Sequence, residues 1–208
     1  HPALVACGTC VDWIDASGSK TGEKNAILTG PIAIADLLTG NRFFHPTMMI
    51  RREALVAAGL YRTGCTFAED YDLWLRLAER GSLANVPEIL LLFRKHGAQT
   101  STAKRLAQRA ATALARQAAF RRTNGFDEGA DLSNSLEQAV REYLSSRGAE
   151  PAPLRDFEAK DLLVMARFAQ QQAGRQWISG IESRIKRETG LRKAWLLPVW
   201  YLLDRAKT

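Results

Sequence analysis

Two periodicities divide the chain near residue 101. In the first part short extended runs alternate with short helical ones. Leu4–Ile14 carries β-branched and aromatic residues at intervals and is followed by the turn residues Ala16-Ser-Gly-Ser, so a strand with a hairpin-like return is expected. Ile32–Leu38 reads as a short helix closed by Thr39-Gly40. Phe43–Ile50 reads as a strand leading through Arg51-Arg52-Glu53 into a helix that ends at Gly59. In Asp70–Arg80 the residues Leu73, Trp74, Leu77 and Ala78 share one face of a helix, while Asp72, Arg76 and Arg80 take the other. Gly81 ends that helix, and Val86–Phe93, apolar throughout Ile89–Phe93, is expected to be a buried strand. Beyond Thr102 the strand signals vanish. Residues 102–122, 131–146, 154–173, 176–188 and 191–205 each carry a helical pattern, separated by glycine- or proline-bearing breaks. The expected architecture is therefore α/β over residues 1–101, a mixed sheet with flanking helices, followed by an all-α region over 102–208.

Composition narrows the class. With 208 residues, 46% hydrophobic and 25% charged, the chain has ordinary globular content for one or two compact units. No apolar run reaches the roughly 20 residues that span a bilayer. The net charge of +7 is confined to the second part: residues 1–101 hold ten Lys/Arg against ten Asp/Glu. Three cysteines are too few for a disulfide framework and indicate a reducing compartment. Cys7 and Cys10 form a C-x-x-C, yet it lies inside an extended segment and lacks a second ligand pair, so both read as small strand residues.

The segment with chemical content is Ala68-Glu69-Asp70-Tyr71-Asp72-Leu73-Trp74. Two adjacent carboxylates fall where a loop becomes a helix. The helix N-terminus favours the anion by about 0.3–1 kcal/mol, and a neighbouring carboxylate raises proton affinity. Such a group stays ionised at neutral pH yet accepts a proton from an attacking hydroxyl. An N-terminal Asp is also a common purely structural feature. Asp70-Tyr-Asp72 spells D-x-D, a divalent-cation motif. Asp72, however, sits on the helix at i, i+4 from Arg76, which favours an ion pair over a ligand.

Taken in order, Phe44–Leu55, Ala58–Tyr61, Ala68–Ala78, Pro87–Leu90 and Phe93–Ser101 resemble the second half of the catalytic domain of bacterial family-2 glycosyltransferases, which have the GT-A fold. The resemblance covers about residues 1–101 and leaves the helical region aside. It implies that Glu69-Asp70 is the family's Glu-Asp pair, with Asp70 as the base that deprotonates the acceptor hydroxyl. It implies that Arg94-Lys95-His96 lies near the donor diphosphate, Arg94 neutralising phosphate charge and His96 contacting phosphate or completing the metal site. His45-Pro46 matches the position leading into the strand beneath the acceptor pocket. The implied reaction is inverting transfer from a nucleotide-sugar to a carbohydrate or lipid-linked acceptor in cell-surface polysaccharide or glycolipid synthesis, assisted by Mg or Mn.

The resemblance also implies something missing. The family's first half, a nucleotide-binding unit ending in the metal carboxylates, has no counterpart here, and His1-Pro2 resembles the link that follows it. The chain is thus expected to be a fragment, inactive by itself. A non-catalytic binding or scaffolding module working with a partner is the alternative. In the tail, Arg184, Lys186, Arg187, Arg192 and Lys193 precede Trp195–Leu203, a pattern suited to a helix lying peripherally on the inner face of the plasma membrane or to packing on the protein body. Nucleic acid is disfavoured, because the basic residues are interspersed with acids and lack a recognition motif. A cytoplasmic location is expected.

Overall fold

The computed structural model of the protein describes residues 1–22, 27–94 and 102–149, together with helical residues 160–162, 164–166 and 168–169. Strand β1 (Leu4–Ile14) forms over the expected run and pairs in parallel with β4 (Ser82–Arg94). Strand β2 (Gly30–Ile32) adds antiparallel to the far side of β4 over Leu83–Asn85, and β3 (Met49–Ile50) adds antiparallel to β1 at Ala6–Cys7. The result is a four-stranded mixed sheet in the order β2-β4-β1-β3, so the α/β expectation holds. After β1 the chain returns as expected: Asp15 Oδ1 accepts from the Ser17 and Ser19 amides, and Lys20 bridges back to Ile14. Cys7, Cys10 and Cys65 are free thiols, the first two within β1.

Three helices accompany the sheet: α1 (Ile34–Thr39), α2 (Arg52–Ala57) and α3 (Glu69–Ala78). Helix α4 (Thr102–Thr123) packs on α3, and α5 (Leu136–Ala149) packs on α4. The α4 face toward the core is built of Ala110, Ala111, Leu114, Ala115, Ala118 and Ala119, all fully buried. Small side chains there let the helix axis approach α3 closely. One continuous core runs from Ala6, Ile32 and Leu83 of the sheet through α3 into α4, α5 and Leu162, Met165, Ala166, Phe168 and Ala169. Asp161 is buried against α4, where Arg116 Nε and Gln117 Nε2 donate to its carboxylate at 2.9 and 2.7 Å. The expected helices over 176–188 and 191–205 lie outside the described residues.

Four local expectations are corrected. Phe43–Ile50 is not one strand: His45–Thr47 is a 3-10 turn, and only Met49–Ile50 pairs. Pro46 lacks a ladder donor and fixes a turn-compatible φ, while the Thr47 hydroxyl donates to Phe44 O at 2.8 Å. Ile32 ends a strand rather than starting a helix, and α1 begins at Ile34, with Asp36 Oδ2 accepting from the Ala33 amide at 2.9 Å. The Ile89–Phe93 run is not buried. Ile89, Leu90 and Leu92 are 51%, 70% and 56% exposed. The reason is topological: β2 reaches only Leu83–Asn85 of β4, so among the described residues the second half of β4 is a sheet edge.

The fourth correction concerns α3, where Asp72 and Arg76 are buried rather than solvent-facing. The expected i, i+4 pair forms, Arg76 Nη2 donating to Asp72 Oδ2 at 2.7 Å. A second guanidinium, that of Arg62, donates to the same carboxylate, with Nε at 3.0 Å from Oδ2. Arg62 also reaches Glu128 at 2.8 Å, and Arg122 joins Glu128 to Glu79. Asp72 is thus the centre of a charged network that ties α3 to the loop between α4 and α5.

Burial by itself would raise the pKa of Asp72, but Arg62 and Arg76 outweigh it and hold the carboxylate below its ordinary value. A group so depressed contributes stability above the unfolded-state value, and that contribution is lost as pH falls through the folded-state value. We predict that Asp72→Asn lowers unfolding free energy by about 3–5 kcal/mol at neutral pH, because the buried Arg76 guanidinium loses its carboxylate partner and Arg62 keeps only Glu128. In urea titrations the gap between the two proteins should stay constant above about pH 5 and close below about pH 4.

Candidate active site

The site is built around the start of α3. The chain enters through the 3-10 turn Thr63–Cys65, and Ala68 serves as N-cap without any side-chain cap bond. Glu69 and Asp70 therefore occupy the first turn, half-buried, where unpaired backbone N–H groups favour negative charge. Asp70 Oδ1 accepts from the Tyr71 amide at 2.7 Å. Asp70 Oδ2 lies 3.4 Å from Asn41 Nδ2, a long hydrogen bond that a substrate hydroxyl is able to replace.

Asn41 is held by a chain of contacts that begins in the sheet. Its own Oδ1 accepts from the Phe43 amide at 3.0 Å. The next carbonyl, Arg42 O, accepts from Asn85 Nδ2 at 2.7 Å, and Asn85 also donates to Leu28 O at 2.9 Å. Asn85 is 1% exposed and stands against Gly8 of β1, where any Cβ would collide with its Oδ1. The backbone of Gly8 thus leaves the room in which Asn85 fastens the loop carrying Asn41.

Tyr61 closes the other side. Its hydroxyl lies 3.1 Å from His45 Nε2, and the His45 ring stands edge-on to Trp74 with centroids 5.8 Å apart. The Tyr61 hydroxyl is held above its usual pKa, first by burial and then by the charges of Asp70 and Glu69. The segment that presents Tyr61 is clamped from α3: Arg76 donates to Ala58 O and, at 2.7 Å, to Leu60 O. Gly59 and Leu60 turn there with φ of 82° and 60°, the left-handed region.

Asp70, Glu69 and His45 are therefore brought together, and Tyr61 and Asn41 join them. Neither of the last two was singled out as a functional residue from the sequence. Tyr61 has a signal only in the Ala58–Tyr61 segment, and Asn41 has none. Arg94, at the end of β4, donates from Nη1 to Asp15 O at 2.8 Å and Ala16 O at 3.0 Å, so it binds the turn after β1. His96 lies outside the described residues. Among the described residues no group of three or more His, Cys, Asp or Glu is placed to hold a metal ion, and Asp72 is taken up by Arg62 and Arg76. The described residues do not fit a divalent cation. They offer instead a half-buried carboxylate pair flanked by an amide and a phenol, suited to bind a hydroxyl and accept its proton.

Comparison with known proteins bears on this chemistry. No protein-family model matches the chain. It is 37% identical over 92 residues to an uncharacterised glycosyltransferase of Haemophilus influenzae, covering 43% of this chain and 28% of that protein. It is 30% identical over 95 residues to the amylovoran biosynthesis glycosyltransferase AmsE of Erwinia amylovora, covering 45% and 35% respectively. The chain thus spans well under half the length of these curated relatives. Both similarities support the general class of glycosyltransferase.

Tyr61 reports on the carboxylate pair. In 13C NMR of labelled tyrosine, Asp70→Asn combined with Glu69→Gln should lower the titration midpoint of Tyr61 while leaving that of the buried Tyr71 in place. A Tyr61 midpoint insensitive to both substitutions would place the carboxylates away from it.

Proposed function

We propose that this chain is the acceptor side of a glycosyltransferase of the family-2, GT-A type, with Asp70 as catalytic base. The observation that carries the reading is the Asp70 carboxylate: half-buried at the N-terminal turn of α3, beside Glu69, 3.4 Å from Asn41 and within electrostatic reach of the Tyr61 hydroxyl. The glycosyltransferase names of the two similar proteins support it.

In the proposed reaction an acceptor hydroxyl binds at Asp70 in place of Asn41. Its oxygen attacks the anomeric carbon of a nucleotide-sugar from the face opposite the leaving group, and its proton passes to Asp70. The bond between the anomeric carbon and the nucleoside diphosphate breaks, and the diphosphate departs with the electron pair. One in-line displacement inverts the anomeric centre. Glu69 supplies a second carboxylate beside Asp70 in the first turn of α3. Tyr61 and His45 form a polar wall that orients the acceptor. Arg94 and His96 are proposed on the donor side, with the ligands of the Mg or Mn ion supplied by a donor-binding unit outside the described residues.

The exposed edge formed by Ile89, Leu90 and Leu92 supports that arrangement, because large apolar residues grouped on a sheet edge favour coverage by another unit. The same edge supports the second reading, a non-catalytic module that docks on a partner. A cytoplasmic site of action, with a cell-surface polysaccharide or glycolipid as product, belongs to the first reading. No helix among the described residues is long and apolar enough to cross a membrane, and the basic-aromatic segment 184–203 lies outside them.

In the complete protein supplied with donor and acceptor, Asp70→Asn should lower kcat by about 10²- to 10⁴-fold, the range expected for loss of a positioned general base. Acceptor KM should change little. Near-normal turnover by Asp70→Asn would remove Asp70 from catalysis, whereas absence of turnover by the unsubstituted protein would favour the binding-module reading.

A further inference from the structure

A groove of about 520 Å3 opens beside the entry to α3, on a part of the surface that the proposed chemistry does not use. Thr66 and Phe67 line it from the turn before the helix, Lys104 from α4, Ser135 and Glu137 from the start of α5, and Phe168 from the following helical residues. More than half of this wall belongs to the helical part of the chain, beyond the residues that carry the family resemblance. Its volume lies within the range of small-ligand sites, roughly 300–1,000 Å3.

Phe67 is the unusual member. It adopts φ of 76°, a left-handed conformation that disfavours any residue with a Cβ, and the residue is 43% exposed. The backbone on either side enforces this. Ala68 is 3% exposed and its amide donates to Cys65 O at 2.8 Å, while the Gly64 amide donates to Leu132 O at 3.0 Å. Gly64 itself is packed against the Leu132 backbone so closely that a Cβ would lie 2.8 Å from its carbonyl oxygen. The fold thus fixes a strained turn that presents an aromatic ring to a groove instead of to the core.

The lining selects a ligand chemistry. An exposed phenyl ring matches the apolar C–H face of a sugar, and hydroxyl, ammonium and carboxylate groups around it match the hydroxyl rim. Lys104 and Glu137 line the groove with one charge of each sign, Glu137 also pairing with Arg141, so the lining itself carries no excess positive charge with which to attract a diphosphate. Phe67 precedes Asp70 by three residues, which limits the separation of their Cα atoms to about 11 Å. That is a reach comparable to a disaccharide.

We propose that this groove is an acceptor subsite that binds a neutral sugar ring stacked on Phe67, next to the sugar whose hydroxyl meets Asp70. The proposal deepens the glycosyltransferase reading and rests on it for the word acceptor; saccharide binding in the groove is a property of the chain itself. The test is a 1H–15N NMR titration of the chain with β-linked disaccharides of glucose, galactose and N-acetylglucosamine, and with uridine diphosphate. At least one disaccharide should shift the amides of Phe67, Ala107 and Leu136. Phe67→Ala should weaken that binding about tenfold, an aromatic anchor's usual share, while Phe67→Tyr should retain it. Glu137→Gln, which keeps the side-chain shape at a half-buried position paired with Arg141, should also weaken it.

Absence of groove shifts with every disaccharide overturns the subsite, as do shifts that Phe67→Ala leaves unchanged. A response to uridine diphosphate alone overturns it in favour of a donor contact. These outcomes are separable from failure of the base assignment. Asp70→Asn should still bind the disaccharide in the groove, and groove binding together with full turnover by Asp70→Asn would remove the base while leaving the saccharide site.

Discussion

The Asp72 carboxylate, fully buried between the guanidinium groups of Arg62 and Arg76, is the contact on which the rest of this structure depends. A lone carboxylate is costly to bury, and two buried guanidinium groups without it would be costlier still, so the three residues are held together or the region opens. The remaining hydrogen bonds of the two guanidinium groups reach outward, to backbone from Arg76 and to a second carboxylate from Arg62. Arg76 takes the carbonyls of Ala58 and Leu60, which fixes the turn that delivers Tyr61 to Asp70. Arg62 takes Glu128 and so joins the loop between α4 and α5 to the same point. The second acid of the D-x-D sequence therefore organises the site from beneath it instead of binding a cation.

The catalytic candidates are positioned by contacts of two kinds. On one side the sheet acts through Gly8 and Asn85, which fasten the loop bearing Asn41. On the other side α3 acts through Arg76 and through Trp74, against which His45 stands. Asp70 itself sits on the helix that both supports share, with its carboxylate at the half-buried rim. Rigid elements thus hold the acid, while the residues facing it come from loops. That division leaves room for an acceptor to enter between them, because the Asn41–Asp70 contact is long.

The helical second part is bound to this framework by a core that does not break at residue 101. Alanines on α4 seat it directly on α3, and α5 stands behind it. Any surface formed where these helices meet the entry to α3 is consequently fixed relative to Asp70. The exposed second half of β4 behaves in the opposite way: it offers apolar side chains with no described element over them.

Much of the secondary structure was legible from local pattern. The limits of β1, the start of α4 and the helix beginning at Glu69 follow from residue spacing and from glycine and proline placement, which act over a few residues. Glu69 and Asp70 were legible for the same reason, since a loop-to-helix junction is a local event. Asn41 and Tyr61 were not, because they meet Asp70 through loops whose courses are set by Asn85 and Arg76. Hydrophobic patterning also misassigned two surfaces. Asp72 and Arg76 fall on the polar side of the helical pattern yet are buried, because a further partner, Arg62, lies off the helix, ten residues upstream of Asp72. Ile89–Phe93 was read as buried because it is apolar, whereas burial depends on what covers a strand, and β2 stops at Asn85. The sequence by itself determined the long strand β1, most of the helices and where a carboxylate pair meets a helix start, since those rest on short-range backbone preferences, but not β2 or the turn at His45–Thr47. Only the tertiary structure decided which charges are buried and which loops face Asp70, because desolvation and hydrogen bonding depend on groups brought together from distant parts of the chain.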